Sequence, residues 1–193
     1  MSIKKQLILL IFALGCAVGT HGQNVGIKTN FVGDGLLSPN LGIEFGMAPR
    51  WSFDLTGQIN FWDVNNHKWK HWLVQPEARY WFCERFAGNF LGFHALGGEF
   101  NFGHIKNNVH LLGSDFSKLA NLRYQGWGAG LGIGYGHSWV LGMHWNFEFE
   151  IAVGWIYARY EMLPCTECGA VLGSGDHHYF GPTKAALNLV YTF

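Results

Sequence analysis

Apolar and polar residues alternate with a period of two along most of this chain, and that alternation predicts strands. Between Gly126 and Gly136 it takes an extreme form, glycine at every even position interleaved with Trp127, Ala129, Leu131, Ile133 and Tyr135. Successive side chains of a strand point to opposite faces, so one face of this segment is bare backbone and the other apolar. Glycine weakens a strand, and a whole glycine face makes sense where bulky groups from elsewhere need the space, as inside a small closed barrel. A flexible glycine-rich loop would not carry large apolar residues at alternate positions.

The same alternation predicts seven further strands. Val25, Ile27, Thr29 and Phe31 oppose Gly26, Lys28 and Asn30, and a polar turn follows at 34–39. Leu41, Ile43, Phe45 and Met47 oppose Gly42, Glu44 and Gly46 up to a reversal at Ala48-Pro49-Arg50. Trp51, Phe53, Leu55, Ile59 and Phe61 then face away from Ser52, Asp54, Thr56, Gln58 and Asn60. In the fourth run Trp72, Val74, Ala78, Tyr80 and Phe82 oppose Gln75, Glu77, Arg79, Trp81 and Cys83, and Pro76, lacking a donor, is expected to form a bulge. A fifth strand over 89–104 is expected to point Phe93 and Ala95 outward and His94 inward; a bulge at Gly97-Gly98 would then turn Glu99 and Asn101 inward. After the glycine strand come a one-sided run from Trp145 to Tyr157 and a final run over 184–193.

Short turns at 48–50, 84–87 and 137–141 alternate with longer polar connections at 33–39, 63–71, 105–122 and 162–178, the third with a helical turn at 115–122. That order predicts an all-β fold: an eight-stranded antiparallel transmembrane β-barrel with long extracellular loops. Trp51, Tyr80, Trp139, Trp145, Tyr191 and Phe193 fall near the short turns, and Phe61, Trp72, Trp155 and Tyr157 near the long connections, as interfacial girdles require. A soluble lipocalin-like barrel would need a charged outer face.

Composition sharpens the choice. Of 193 residues 49% are hydrophobic and only 13% charged, which leaves little charge for a water-facing surface. Formal net charge is zero and no basic run occurs, so the footprint of a nucleic-acid binder is missing. Lys4 and Lys5 precede an apolar run, Leu7 to Val18, too short to span a bilayer but of signal-peptide length. Residues 1–22 are therefore expected to be a signal peptide and 23–193 a single barrel in the cell outer membrane. Leu14-Gly15-Cys16 resembles a lipoprotein site, but the strand pattern beginning at Asn24 favours cleavage after Gly22.

Inside such a barrel the alternation sets Glu44, Asp54, Glu77, Arg79, Glu99, Glu148, Glu150 and Lys184. A lumen charge network of Glu77, Arg79, Glu99, Glu148, Glu150 and Lys184 is expected, because buried charges must be paired. The alternative is a carboxylate site for a proton or cation. His137-Ser138 suggests a hydrolase pair, but neighbours on a strand point to opposite faces. Cys165 and Cys168 share a connection with His177 and His178, a set with metal-like ligand types; in an exported chain a Cys165–Cys168 disulfide is favoured, with Cys83 left free. No catalytic residue, metal or cofactor is expected.

Three stretches carry a resemblance: Trp72 to Gly103, Trp139 to Gly169 and Tyr179 to Phe193. Their most specific runs are Gln75-Pro76-Glu77-x-Arg79-Tyr80-Trp81 and Gly181-Pro182-Thr183-Lys184. Together they resemble a Bacteroidetes family of outer-membrane barrels known as a domain of unknown function, over nearly all of the mature chain. The resemblance implies an outer-membrane location and, through genomic context, a link to fimbrial proteins. Phe193 resembles the end signal read by the barrel-assembly machinery. The partners expected are outer-membrane lipid, that machinery and an envelope or fimbrial protein. The role expected is structural or interactive, accessory to a surface filament or other envelope complex; the alternative is an outer-membrane lipid-modifying enzyme, a lipid A deacylase or acyltransferase.

Overall fold

Eight long strands realise the alternation: β1 (Val25–Asn30), β2 (Asn40–Ala48), β3 (Trp51–Asn60), β4 (His67–Trp81), β5 (Gly88–Gly103), β6 (Arg123–Val140), β7 (Trp145–Leu163) and β8 (Gly173–Thr192). The structure, a computed structural model, describes residues 24–61, 63–64, 67–103, 110–111, 114–115, 122–164 and 170–193. Each strand pairs antiparallel with its neighbours in sequence, and β1 pairs with β8, so the sheet closes into one ring. The expected leader over 1–22, the Cys165–Cys168 pair and residues 116–121 of the expected helical turn lie outside the described residues. No helix among the described residues is long and apolar enough to cross a membrane.

One short helix, α1 (Phe31–Gly35), stands where a polar turn was expected. Asn30 caps it, its side-chain oxygen accepting from the Val32 amide at 3.0 Å. Five residues are too few to display a helical period, which is why alternation alone read this stretch as a turn.

The ring is inverted relative to a soluble protein. Ile27, Leu41, Leu55, Leu131, Ile133 and Ile151 are exposed on its outer face, while Lys28, Glu44, Asp54, Glu77, Arg79, Glu148 and Glu150 are buried inside. The short-turn end is closed by aromatic rings. Phe86, in the turn after β4 and at φ 62°, is buried; its ring lies 6.1 Å from Trp81, which lies 4.7 Å from Phe90. The Phe86 carbonyl accepts from Ser138 Oγ at 3.0 Å and Asn146 Nδ2 at 2.7 Å, which fixes this turn against β6 and β7. Cys83 is exposed in the same turn and is a free thiol.

Two expected irregularities are absent and another takes their place. Across Pro76 the register is constant on both sides, Leu55 facing Pro76, and Val74 and Glu77 facing Gly97 and His94. The ladder with β5 omits Gln75 and Pro76, while the ladder with β3 includes both. Nor does Gly97-Gly98 bulge: Gly97, Gly98 and Glu99 face Ala129, Gly128 and Trp127 without a shift, so Glu99 stays on the outward face with Phe93 and Ala95. Glycine at 98 serves close approach, since a Cβ there would lie 2.1 Å from the Trp72 carbonyl oxygen. The bulge sits on β8, where Ala152 faces Lys184 and Val153 faces Pro182, leaving Thr183 as the extra residue. Even-numbered residues therefore face outward before it, as Phe180 does, and inward after it, as Ala186 and Asn188 do.

The wall is uneven in height. β6, β7 and β8 have 18, 19 and 20 residues, whereas β1, β2 and β3 have 6, 9 and 10. The last connection is correspondingly shorter than expected, and His177 and His178 lie within β8. Constant register from β4 to β7, with the one shift at the β8 bulge, lines up the outward residues in rows. Tyr80, Leu91, Tyr135, Ile151 and Ala185 form one, and Ala78, Phe93, Ile133, Val153 and Pro182 the next. Farther up, Trp72, Glu99, Trp127, Arg159 and Asp176 form a row, followed by Lys70, Asn101, Gln125, Glu161 and Ser174. The outer face thus changes from apolar to polar along the strands.

Candidate functional site: a buried charge cluster

Inward parity on six strands brings Lys28, Glu44, Asp54, Glu77, Arg79, Glu148, Glu150 and Lys184 to one level of the ring. Register makes neighbours of several: Glu44 faces Asp54 and Asp54 faces Glu77. Arg79 is the hub. Its Nε donates to Glu77 at 2.5 Å, Nη1 to Glu44 at 2.8 Å and Glu148 at 3.1 Å, and Nη2 to Glu150 at 2.8 Å. A planar guanidinium with donors along its rim can hold several carboxylates at once, which a lysine ammonium at this place could not do in the same geometry. Below it the Phe90 ring centre lies 4.5 Å from the guanidinium carbon, a cation–π contact that joins the cluster to the aromatic closure.

Two lysines flank this hub. Lys28 Nζ donates to Glu44 at 2.5 Å and lies 3.3 Å from Asp54; Lys184 Nζ donates to Glu77 at 2.6 Å and lies 2.9 Å from Glu150. Neutral groups complete the shell: Ser52 Oγ donates to Glu44, Trp81 Nε1 to Ser52 Oγ at 2.8 Å, and Asn188 Nδ2 to Glu148 at 3.3 Å. Five carboxylates thus surround three cations in a space closed to solvent. Such pairing is what buried charge requires.

The glycine face gives the cluster its room. A Cβ on Gly134 would lie 2.9 Å from Glu150 Oε1, one on Gly132 2.6 Å from His94 Nε2, and one on Gly136 2.3 Å from the Phe90 ring. On β5, a Cβ on Gly92 would meet Glu77 Oε1 at 2.8 Å. The side chains set against these glycines are therefore Glu150, His94, Phe90 and Glu77, with Arg79 lying over Phe90.

Of the six network residues read from the sequence, Glu77, Arg79, Glu148, Glu150 and Lys184 come together. Glu99 does not: it lies on the outer face, where its carboxylate accepts from Trp72 Nε1 at 3.1 Å. Lys28 was overlooked, although its parity with Gly26 and Asn30 had already set it on the polar face of the first strand. His137 and Ser138 face opposite ways: Ser138 Oγ donates to the Phe86 carbonyl, and the His137 ring hydrogen-bonds Asn89 at 2.6 Å and packs 4.6 Å from Trp139. His178 lies outside, 5.6 Å from Trp155 and 5.2 Å from Tyr157, with the half-buried His177 on the other face. Among the described residues no group of three or more His, Cys, Asp or Glu side chains is arranged to hold a metal ion.

The family whose model matches this chain is described as a protein of unknown function (DUF3575); the match runs over residues 7–193, and the chain belongs to that family. No curated protein matches it.

Proposed function

We propose that this member of a family without assigned activity is a transmembrane β-barrel of the cell outer membrane, with a structural or interaction role beside a surface filament or other envelope complex. The observation that carries the reading is the inverted sidedness of the ring: apolar outside, charged and paired within. On β4 to β8 the outward rows from Phe82–Asn89–His137–Phe149–Leu187 up to Val74–Gly97–Ala129–Tyr157–His178 carry no Asp, Glu, Lys or Arg. From Asn89 to Gly97 on β5 these rows span nine residues, which at about 3.3 Å rise and about 40° tilt cover roughly 23 Å, close to the height of the apolar band of an outer-membrane barrel. Water would not tolerate so large a continuous apolar surface.

Closure supports the same reading, because every strand within a bilayer must find its hydrogen bonds in its neighbours. With the charge cluster above and Trp81, Phe86 and Phe90 below, the interior is filled by side chains, which fits a scaffold better than a pore. The tall wall of β5 to β8 then projects from one side as the surface for a partner. The mature protein should fractionate with outer membranes, need detergent, and change gel mobility on boiling. Recovery of a stable monomer in buffer without detergent overturns the membrane reading; co-purification of no envelope protein after crosslinking in cells overturns the interaction role.

A further inference from the structure

β8 is the longest strand of the ring and β1 the shortest, so the seam between them closes only in part. β7 accompanies β8 over nearly its whole length, whereas β1 pairs only with Asn188 to Thr192 and ends at Asn30. There the Asn30 carboxamide imitates one more peptide unit. Its Nδ2 donates to the Ala185 carbonyl at 3.3 Å, and its Oδ1 accepts from the Leu187 amide at 3.1 Å. α1 follows and packs against β8 with no backbone hydrogen bond to it.

The bulge decides which groups face the open side. Leu187 turns its amide toward β1, while Thr192 donates on the β7 side, to the His144 carbonyl at 2.8 Å, so below the bulge the odd residues face β1. The extra residue Thr183 reverses this, and above it Ser174, Asp176, His178, Phe180 and Pro182 face the seam. Pro182 has no amide to lose, and its carbonyl accepts from Tyr179 Oη at 3.3 Å. The backbone groups of the other four have no backbone partner on that side among the described residues. His178 and Phe180 belong to the rows without charge, where a bilayer supplies no water in place of a partner. Such a row of unpaired amides and carbonyls is a template for another strand.

We propose that this edge, Ser174 to Phe180, is completed by strand addition from a partner polypeptide, an extended segment of about seven residues that enters from the side of the long connections. The inference rests on the membrane reading above and specifies how the tall wall holds a partner. Backbone hydrogen bonds hold the segment, and the period of two sorts its side chains. Those level with Phe180 and His178 on the outer face meet lipid and are apolar, while the alternate ones lie beside Tyr179 and His177 on the inner face. A second copy does not fit. Antiparallel pairing of two β8 edges needs a two-fold axis perpendicular to the wall, and that axis turns one barrel upside down in the membrane.

Amide hydrogen exchange of the full mature protein, purified as a monomer in detergent, reads the edge directly. The amides of Ser174 and Asp176 should exchange severalfold faster than those of Gly175 and His177, which face β7. For the partner, a photo-crosslinking residue at Ser174, in the cells that make the protein, should give one discrete adduct. His178→Pro removes an edge amide and spares the ladder with β7, so the folded band should persist and the adduct be lost. His178→Ala loses the same ring but keeps the amide, and should keep the adduct. If the proline variant does not fold, Asp176→Pro against Asp176→Ala makes the same comparison. Edge amides as slow as their neighbours in the monomer would mean that the chain covers its own edge, and overturn the proposal. So would the absence of an adduct, an adduct that survives proline, one lost equally with alanine, or one the size of two barrels. Failure of the membrane reading would look different, as a protein that stays monomeric without detergent.

Discussion

Arg79 on β4 donates to Glu150 on β7 at 2.8 Å, joining two walls of the ring that are 71 residues apart in sequence. The same guanidinium also serves Glu44, Glu77 and Glu148, whereas Lys184 serves only Glu77 and Glu150, both of which keep Arg79 when Lys184 is removed. Arg79→Ala therefore strips four buried carboxylates of a donor at once. The expected loss is on the order of 3 kcal/mol or more, by the usual cost of breaking a buried pair. Lys184→Ala should cost less. Urea titrations followed by the folded gel band would rank the two, and an equal midpoint for both variants contradicts the hub role.

Acids outnumber bases in this cluster, and that sets a second asymmetry. Glu150→Gln keeps an oxygen for Arg79 and Lys184 while removing one negative charge from an excess, so it should be milder than Arg79→Ala by a clear margin in the same titration. A Glu150→Gln variant as damaged as Arg79→Ala would mean that the excess negative charge is itself required.

The glycine face allows a third comparison. A Cβ on Gly136 would lie 2.3 Å from the end of the Phe90 ring and 2.7 Å from the Phe149 carbonyl oxygen, neither of which yields easily, whereas a Cβ on Gly57 meets nothing within 4 Å. Overpacking of a filled interior costs about 1–3 kcal/mol. Gly136→Ala should lower the urea midpoint accordingly and Gly57→Ala should leave it nearly unchanged. Equal behaviour would show that the glycines are not there to make room.

Much of the strand order was legible because alternation records a contrast between faces, and from β1 to β8 the outer and inner faces differ sharply in polarity. Where the contrast fades, the reading faded with it. Lys70, Glu99, Asn101 and Arg159 make the outer face of the upper wall polar, so the upper parts of β4, β7 and β8 looked like loops. Glu99 was turned inward because a Gly-Gly pair serves close strand approach as well as a bulge, and only the Trp72 carbonyl, far away in sequence, tells the two apart. Five of the six network residues were reachable by parity alone. The hub position of Arg79 was not, since it depends on which carboxylates the ring closure brings opposite it.

A planar-bilayer measurement addresses the closed end. Phe86 is buried beside Trp81, and Ser138 and Asn146 hold its carbonyl rather than its ring. Wild type should show no steady open channel. Phe86→Gly suits the positive φ and leaves both carbonyl hydrogen bonds in place while removing the ring, so the turn should persist and the closure thin. Steady conductance in wild type would contradict a filled interior.

The bulge on β8 makes the sharpest prediction. Ala152 faces Lys184 and Val153 faces Pro182, so removing Thr183 makes consecutive residues of the two that already face consecutive partners. Both flanking registers and both faces survive the deletion, which removes the hydrogen bond between Thr183 Oγ1 and His94 Nε2 at 3.0 Å. Removing Ala185 instead keeps the bulge but shifts the strand by one residue. Lys184 would then turn outward away from Glu77 and Glu150, and Phe180 would turn inward, because a slip of one reverses every side chain beyond it. The Thr183 deletion should still give a heat-modifiable folded band, and the Ala185 deletion should not. A folded Ala185 deletion beside an unfolded Thr183 deletion would show that the parity of β8 is set elsewhere than at this bulge.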